Sequence, residues 1–308
     1  MNKNDIYTDL VKMVASKEQV KIDEKLSTYT FTHTGGQADL FVLPKTYQEV
    51  GRIIAYANEQ ALPITILGKG SNLIVRDGGI RGIVISCELL NKIRCEGDTI
   101  IAQSGAAIID VSRFALANHL TGLEFACGIP GSVGGALYMN AGAYGGETAD
   151  VLTGAVVADR TGKIIQLDKK SLSMGYRHSA ISQEGYLALE GTFALQPGDP
   201  QQIKSEMDRL TALRELKQPL EYPSCGSVFK RPTGYFAGKL IQDSGLQGTR
   251  IGGVEVSTKH AGFMVNVDHG TASDYIQLIK HVQDTVKQKF GVDLETEVRI
   301  IGEALNGK

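Results

Sequence analysis

Little in this sequence is in surplus. Lysine and arginine number 32 against 34 aspartate and glutamate, a formal net charge of −2 with a sequence pI of about 6.3. The positive field that gathers nucleic acid is missing, and nucleic acid is set aside as a partner. No stretch approaches the roughly eighteen apolar residues needed to cross a bilayer. The first residues, MNKNDIYTDLVKMV, break their apolar positions with Asp5, Asp9 and Lys12, so they read as a short amphipathic helix rather than a signal peptide. No membrane association is expected. The four cysteines (Cys87, Cys95, Cys127 and Cys225) show neither C-x-x-C spacing nor the density of a secreted disulfide scaffold. That implies a cytoplasmic chain with reduced thiols and no zinc site. The histidines (His33, His119, His178, His260, His269 and His281) are scattered without metal-ligand spacing, so none is assigned to a metal. There is no Ser-His-Asp signature, no G-x-S-x-G elbow, no internal repeat and no low-complexity tract. Nothing marks an obligate protein partner.

What is abundant is glycine, and it is concentrated. Residues 122–146, GLEFACGIPGSVGGALYMNAGAYGG, hold eight glycines and one ionised side chain, Glu124. Glycine lacks a Cβ and tolerates positive φ, so such a stretch lets a ligand approach the backbone. Phosphate is the usual guest of amides in a tight turn or at a helix start. Gly128-Ile129-Pro130-Gly131-Ser132 reads as the turn and residues 133–139 as the helix it opens. A single glycine would more often mark a close helix-to-sheet contact; eight around a Pro-Gly-Ser turn favour the ligand.

At 308 residues, 42% hydrophobic and 21% charged, the chain is globular and long enough for two or three domains. Residues 38–43 read as a strand closed by Pro44. Thr46 and Glu49 form a capping box for a helix striped by Val50, Ile53, Ile54 and Ala57. Residues 64–67 are short and apolar, as buried parallel strands are, which completes a β-α-β unit. Gly68-Lys69-Gly70-Ser71-Asn72 then runs into another strand, Leu73-Ile74-Val75, whereas a Rossmann turn would run into a helix. It reads either as a phosphate nest aided by Ser71 and Asn72 or as a hairpin turn. Strands over 83–86 and 100–103 precede a helix around 110–120. Strands over 151–159, 163–167 and 187–194 argue for an antiparallel sheet. Residues 196–200, QPGDP, read as a boundary before a helix over 201–217 with Ile203, Met207, Leu210 and Leu213 on one face. A second amphipathic helix spans 273–290, with Tyr275, Leu278, Ile279, Val282 and Val286 as its stripe and Gly291 past its end.

Three further runs carry reactive side chains: Tyr176-Arg177-His178-Ser179; residues 223–232, PSCGSVFKRP; and residues 295–302, ETEVRIIG. If the last is extended, Val298 and Ile300 face the core while Glu297 and Arg299 share the other face. Each run taken singly also has an ordinary reading, as a surface ion pair, a turn serine or a solvated strand face.

The ordered set G-K-G-S-N (68–72), G-I-P-G-S-V-G-G-A (128–136), N-A-G-A-Y-G (140–145), Y-R-H-S (176–179), C-G-S-V-F-K-R-P (225–232) and E-V-R-I-I-G-E (297–303) resembles the UDP-N-acetylenolpyruvoylglucosamine reductase family, from about Thr30 to Glu303. The resemblance implies an α+β chain. Its FAD domain would be of the vanillyl-alcohol oxidase and p-cresol methylhydroxylase type, with subdomains over 1–95 and 96–200, followed by a substrate-binding domain over 201–308. It implies non-covalent FAD, NADPH as a transient hydride donor, and a UDP-sugar enolpyruvyl ether as substrate. The family's proton donor falls on Ser227, its active-site arginine on Arg177 and its active-site glutamate on Glu297. Its cofactor positions fall on Leu67, Gly68, Lys69, Gly70, Ser71, Asn72, Gly128, Pro130, Gly131, Ser132, Gly134, Gly135, Asn140 and Gly142, and on Arg214 of the R-x-x-K-x-P segment. Tyr176 and Lys217 fall at the substrate, and Arg231, Lys259 and His260 are candidates for its diphosphate. No insertion between Ser179 and Gln201 is long enough for the family's extra tyrosine loop, so the chain resembles the shorter form.

Overall fold

The first helix, Lys3–Met13, is set by a reciprocal capping box between Asn2 and Asp5, with Ile6 and Leu10 buried on its inner face. The computed structural model describes residues 2–305. Two units divide the chain: the first takes residues up to Ile22, Leu40–Lys69 and Gly82–Arg214, the second Asp23–Asp39, Gly70–Arg81 and residues from Glu215 onward. Among the described residues no helix is long and apolar enough to cross a membrane.

The first unit holds two apolar cores. One packs Ile6 and Leu10 with Val50, Ile53, Ile54 and Ala57 of the helix Tyr47–Glu59, all from the expected stripe, against Leu40, Val42, Ile83 and Ile85. Its sheet runs in the order Val20–Lys25, Gln37–Val42, Ile80–Ser86, Ile64–Leu67; residues 20–22, 40–42, 82–86 and 64–67 of these fall in this unit. Ile64–Leu67 pairs in parallel with Ile80–Ser86, as the apolar run suggested. It does so as the outermost strand, so only Leu67 is buried and Ile66 remains 41% exposed. The β-α-β unit is also interrupted, because Ile80–Ser86 lies between the two strands that the helix connects.

The second core lies over a five-stranded antiparallel sheet in the order Ile164–Asp168, Leu152–Ala158, Leu187–Ala194, Thr99–Gln103, Ile93–Glu96. Helices Ile108–Ala117 and Val133–Met139 contribute Val111, Ala115, Val133 and Leu137 to it. The helix expected to reach residue 120 ends sooner. Asn118 caps it, His119 turns to φ 58, and Leu120–Thr121 becomes a short strand paired with Gln196–Pro197. Residues 148–151, at the edge of an expected strand, are a helical turn, Thr148–Val151.

The second unit packs one core around the helix Ala272–Phe290. The expected stripe Tyr275, Leu278, Ile279, Val282 and Val286 is buried, and Gly291 closes the helix at φ 71. Its four-stranded sheet runs Ser224–Ser227, Phe263–Asn266, Val254–Val256, Arg250–Ile251. Leu73–Val75 pairs in parallel with Arg299–Ile301, so the glycine turn before it does not close a hairpin. The helix Pro200–Lys217 runs from the first unit to the second, with Ile203, Met207 and Leu210 buried and Leu213 half-buried.

The capping box at Thr46 departs from expectation in one half. Thr46 Oγ1 accepts the Glu49 amide at 3.1 Å, but the Glu49 carboxylate turns elsewhere. It accepts from Lys45 N (2.6 Å), Ala15 N (3.1 Å) and Gln19 Nε2 (3.0 Å), with the residue only 3% exposed. This carboxylate therefore ties the N-terminal segment to the second helix. Glu49→Ala, which leaves those donors buried without an acceptor, is expected to lower unfolding free energy by on the order of 3 kcal/mol; an unchanged urea midpoint would contradict this.

Candidate active site

In the first unit the glycine-rich turn is held by its neighbours. Ile108 N donates to Gly131 O at 3.0 Å, Val133 N to Ala106 O at 2.9 Å and Gly134 N to Ser104 O at 2.8 Å. Ser132 caps the helix Val133–Met139, its Oγ accepting from Gly135 N at 3.2 Å. The turn and helix thus have the predicted boundaries. The glycines divide into two kinds. A Cβ on Gly142 would stand 2.6 Å from Gly146 O, and one on Gly134 3.0 Å from Ser104 Cβ, so these two are small because protein packs on them. A Cβ on Gly68 would instead meet Ser132 Oγ at 2.9 Å, which sets the end of the first glycine turn against the second. On Gly128 it would meet Arg214 Cδ at 2.9 Å and Nη1 at 3.1 Å.

Arg214 is therefore folded over the Gly128 turn. Among the described residues its guanidinium has no ion-pair partner, and burial holds it below the usual arginine value without threatening its charge. Leu67 is fully buried, whereas Gly68 and Lys69 are exposed. Asn140, wholly buried at φ 45, donates from Nδ2 to Gly175 O (3.1 Å) and accepts Ala149 N (2.9 Å) at Oδ1, so its amide is engaged within the fold.

Arg177 also lies in the first unit. It sits at φ 55 inside the Gly175–His178 bridge, just before Ser179 caps the helix Ala180–Glu184. Its Cζ is 5.1 Å from the ring centre of Tyr176, which is itself largely exposed.

The second unit takes the rest of the G-K-G-S-N run. Gly70 has φ +66 with Tyr29 O where a Cβ would be, and its carbonyl accepts from Phe31 N at 3.1 Å. Asn72 Nδ2 donates to Glu297 O at 3.2 Å, and Asn72 O accepts from Arg299 N at 3.2 Å. The asparagine read as a phosphate ligand is thus tied to the segment bearing Glu297 and to the strand Arg299–Ile301 that follows it.

Ser227 ends a strand with an extra residue. Ser224 faces Val265 and Ser227 faces Phe263, three steps against two, and Gly226 absorbs the difference at φ 74. Cys225, Val228 and Phe229 stay buried while Ser227 is turned out to solvent. Burial pushes the Cys225 thiol up to about 12, so it stays protonated and inert. Val228 N donates to Gly262 O at 3.0 Å, and Val228 O accepts from Glu297 N at 2.8 Å. Ser227 and Glu297 therefore leave adjacent backbone segments of one unit, which the sequence, where they stand seventy positions apart, did not indicate.

Beside them, His260 Nδ1 accepts the Gly262 amide at 3.1 Å, which leaves the proton on Nε2, and its ring meets Phe263 edge-on at 4.8 Å. Burial first, and then the nearby Lys217 ammonium, hold this imidazole below its usual value. Lys259 donates to Glu215 O at 2.8 Å, and Arg231 stacks on Phe236, its Cζ 3.9 Å from the ring centre. Phe236 escaped the sequence reading; the adjacent aromatics Tyr235-Phe236 after a Pro-Thr-Gly turn, outside any apolar period, were the available signal.

Known proteins match this arrangement. Residues 218–301 match the family described as UDP-N-acetylenolpyruvoylglucosamine reductase, C-terminal domain, and residues 38–168 the FAD binding domain. A protein of that reductase name from Exiguobacterium sibiricum is 62% identical over 288 residues, covering 94% of this chain and 95% of its own. The crystal structure of the reductase from Thermus caldophilus superposes with a TM-score of 0.79 at 31% identity, over 91% of this chain and 97% of that one. An alkyldihydroxyacetonephosphate synthase matches at 18% identity with a TM-score of 0.50, over 64% of this chain and 44% of its own, which is a likeness of fold alone. The α+β fold with an FAD-binding region of the vanillyl-alcohol oxidase type is thereby borne out. The residues present fit FAD: two glycine turns brought against each other at Gly68 and Ser132, and a half-buried guanidinium folded over Gly128. The chain is an FAD-dependent oxidoreductase and belongs to the UDP-N-acetylenolpyruvoylglucosamine reductase family.

Proposed function

We propose that this protein reduces the enolpyruvyl group of UDP-N-acetyl-3-O-(1-carboxyvinyl)-glucosamine to give UDP-N-acetylmuramate, with NADPH as reductant, in cytoplasmic synthesis of peptidoglycan precursors. The reading rests on one observation above the family match: the Val228 carbonyl accepts the Glu297 amide, so a solvent-facing hydroxyl and a carboxylate leave neighbouring backbone segments. We assign residues 1–95 and 96–200 to the two FAD subdomains and 201–308 to the substrate domain.

Gly68, Lys69, Gly128 and Ser132 would hold the FAD pyrophosphate through backbone amides, with Pro130 and Gly131, whose amide is donated to Ile129 O, shaping the turn and Arg214 supplying positive charge. Bound there, FAD supplies a two-electron relay from NADPH to the substrate double bond. The residues of the chain handle the charge and the proton. Hydride addition at C3 of the enolpyruvyl group loads negative charge onto its carboxylate, and Arg177 meets that charge with a fixed fork of donors. Ser227 donates the proton to C2, and Glu297 orients or polarises the groups around it.

An alcohol is a poor acid in water, so Ser227 needs a cation close by. Lys230 is paired with Glu295 and Arg231 is stacked on Phe236. Lys217 has no ion pair among the described residues and sits close enough to His260 to depress it. It is the cation we assign to this task. By the family resemblance we assign Lys259, His260, Arg231 and Tyr176 to the UDP-sugar.

Two variants test the reading. Ser227→Ala is expected to keep FAD and to be bleached by NADPH at the normal rate, while turnover of the enolpyruvyl substrate falls on the order of 10² or more; near-normal turnover would remove Ser227 from the mechanism. Gly68→Val, whose new side chain must push Ser132 aside, is expected to purify with little flavin. A flavin-to-protein absorbance ratio equal to that of the unmodified protein would show that this turn does not hold the cofactor.

A further inference from the structure

The loop beyond Ser227 presents an aromatic ring that the fold leaves uncovered. Residues 232–235 close as a tight turn: Tyr235 N donates to Pro232 O at 3.1 Å, and Gly234 has φ +79, the conformation that a type II turn requires at its third position. Phe236 then starts the helix Ala237–Asp243, its carbonyl accepting Leu240 N at 3.1 Å. Backbone hydrogen bonds therefore fix the ring's attachment on both sides. Even so, Phe236 is 61% exposed and Tyr235 47%. Arg231 covers part of the Phe236 ring with its guanidinium, 3.9 Å from the ring centre, and among the described residues has no ion pair. Stacking occupies the flat face of a guanidinium and leaves its in-plane N–H groups available to phosphate oxygens. A rigidly attached aromatic ring, backed by a cation and otherwise open, is a stacking platform for a nucleobase.

We propose that Phe236, backed by Arg231, is the surface on which the uracil of the UDP-sugar stacks, with the Arg231 N–H edge turned to the diphosphate. The proposal rests on the reductase reading above and extends it to the far end of the substrate. Its geometry follows from chain length. Arg231 is four residues beyond Ser227, so their Cα atoms lie at most ~14 Å apart, and the enolpyruvyl group and the base are the two ends of one extended molecule. Lys230, between them, is already paired with Glu295, which leaves Arg231 as the cation of this segment free to meet phosphate.

The test is UDP binding to FAD-loaded protein by calorimetry, alongside steady-state kinetics, for Phe236→Ala, Phe236→Leu and Phe236→Tyr. Both non-aromatic variants are expected to bind UDP more weakly by on the order of ten-fold or more. They should raise KM for the UDP-sugar to a similar degree, leaving kcat and KM for NADPH unchanged. The tyrosine variant should restore both. Leucine keeps the apolar volume, so a loss shared by alanine and leucine reports the aromatic face rather than packing. Unchanged UDP affinity in the alanine and leucine variants overturns the proposal, as does a rise in KM for NADPH instead, which would give the platform to adenine. Unmodified protein that neither binds UDP nor turns over the substrate overturns the reductase reading together with this one, whereas normal unmodified protein with indifferent variants removes the platform alone.

Discussion

The amide of Glu297, donating to the carbonyl of Val228, is the contact on which the second unit is arranged. Val228 is held from its other side as well, its amide bonded to Gly262 O, while the Gly262 amide is bonded in turn to His260 Nδ1. Asn72 secures the Glu297 segment from beyond, through its side chain to Glu297 O and through its carbonyl to Arg299 N. Four stretches far apart in sequence are thereby linked by hydrogen bonds, and Ser227 and Glu297 inherit a shared setting. The extra residue at Gly226 completes the arrangement. Without it Ser227 would keep the strand's alternation, and a bulge is a means of re-aiming a side chain at a rim.

Glycine does two different jobs in the first unit, and only the contacts separate them. At Gly134 and Gly142 the missing Cβ admits protein backbone and side chain, the usual reason for a small residue in close packing. At Gly68 and Gly128 it brings one turn against the Ser132 hydroxyl and another under Arg214. The second pair gathers backbone donors and one poorly solvated cation, a combination suited to an anionic dinucleotide. Burial disfavours the charge on Arg214, yet an arginine stays protonated under such pressure, so the site keeps a positive group that no carboxylate among the described residues pairs with.

The resemblance of six ordered motifs and the local patterns agreed on the fold class because both report segments whose conformation is decided nearby. The stripe from Tyr275 to Val286 with Gly291 beyond it, the helix opened by Ser132, and the antiparallel run from Leu152 to Ala194 all follow from spacing, caps and turn residues. Misreadings fell where a distant partner intervened. Leu120 fitted a helical period but pairs with Pro197; Ile66 looked like a buried strand residue but lies on an outermost strand; Glu49 looked like half of a capping box but binds donors at Lys45, Ala15 and Gln19.

By itself the sequence determined where the longer helices lie, where glycine permits tight turns, which side chains are chemically capable, and the family to which the chain belongs, since these depend on residue type and short-range order. Only the tertiary structure decided that Asn72 serves Glu297, that Leu73–Val75 pairs with Arg299–Ile301, that Arg214 folds over Gly128, and that Arg231 lies on Phe236. Most of those pairings join residues scores to hundreds of positions apart, and even the short Arg231–Phe236 step depends on how an intervening turn is folded. No periodicity encodes which distant hydrogen-bond partner a buried polar group will find; the packing of the whole chain selects it.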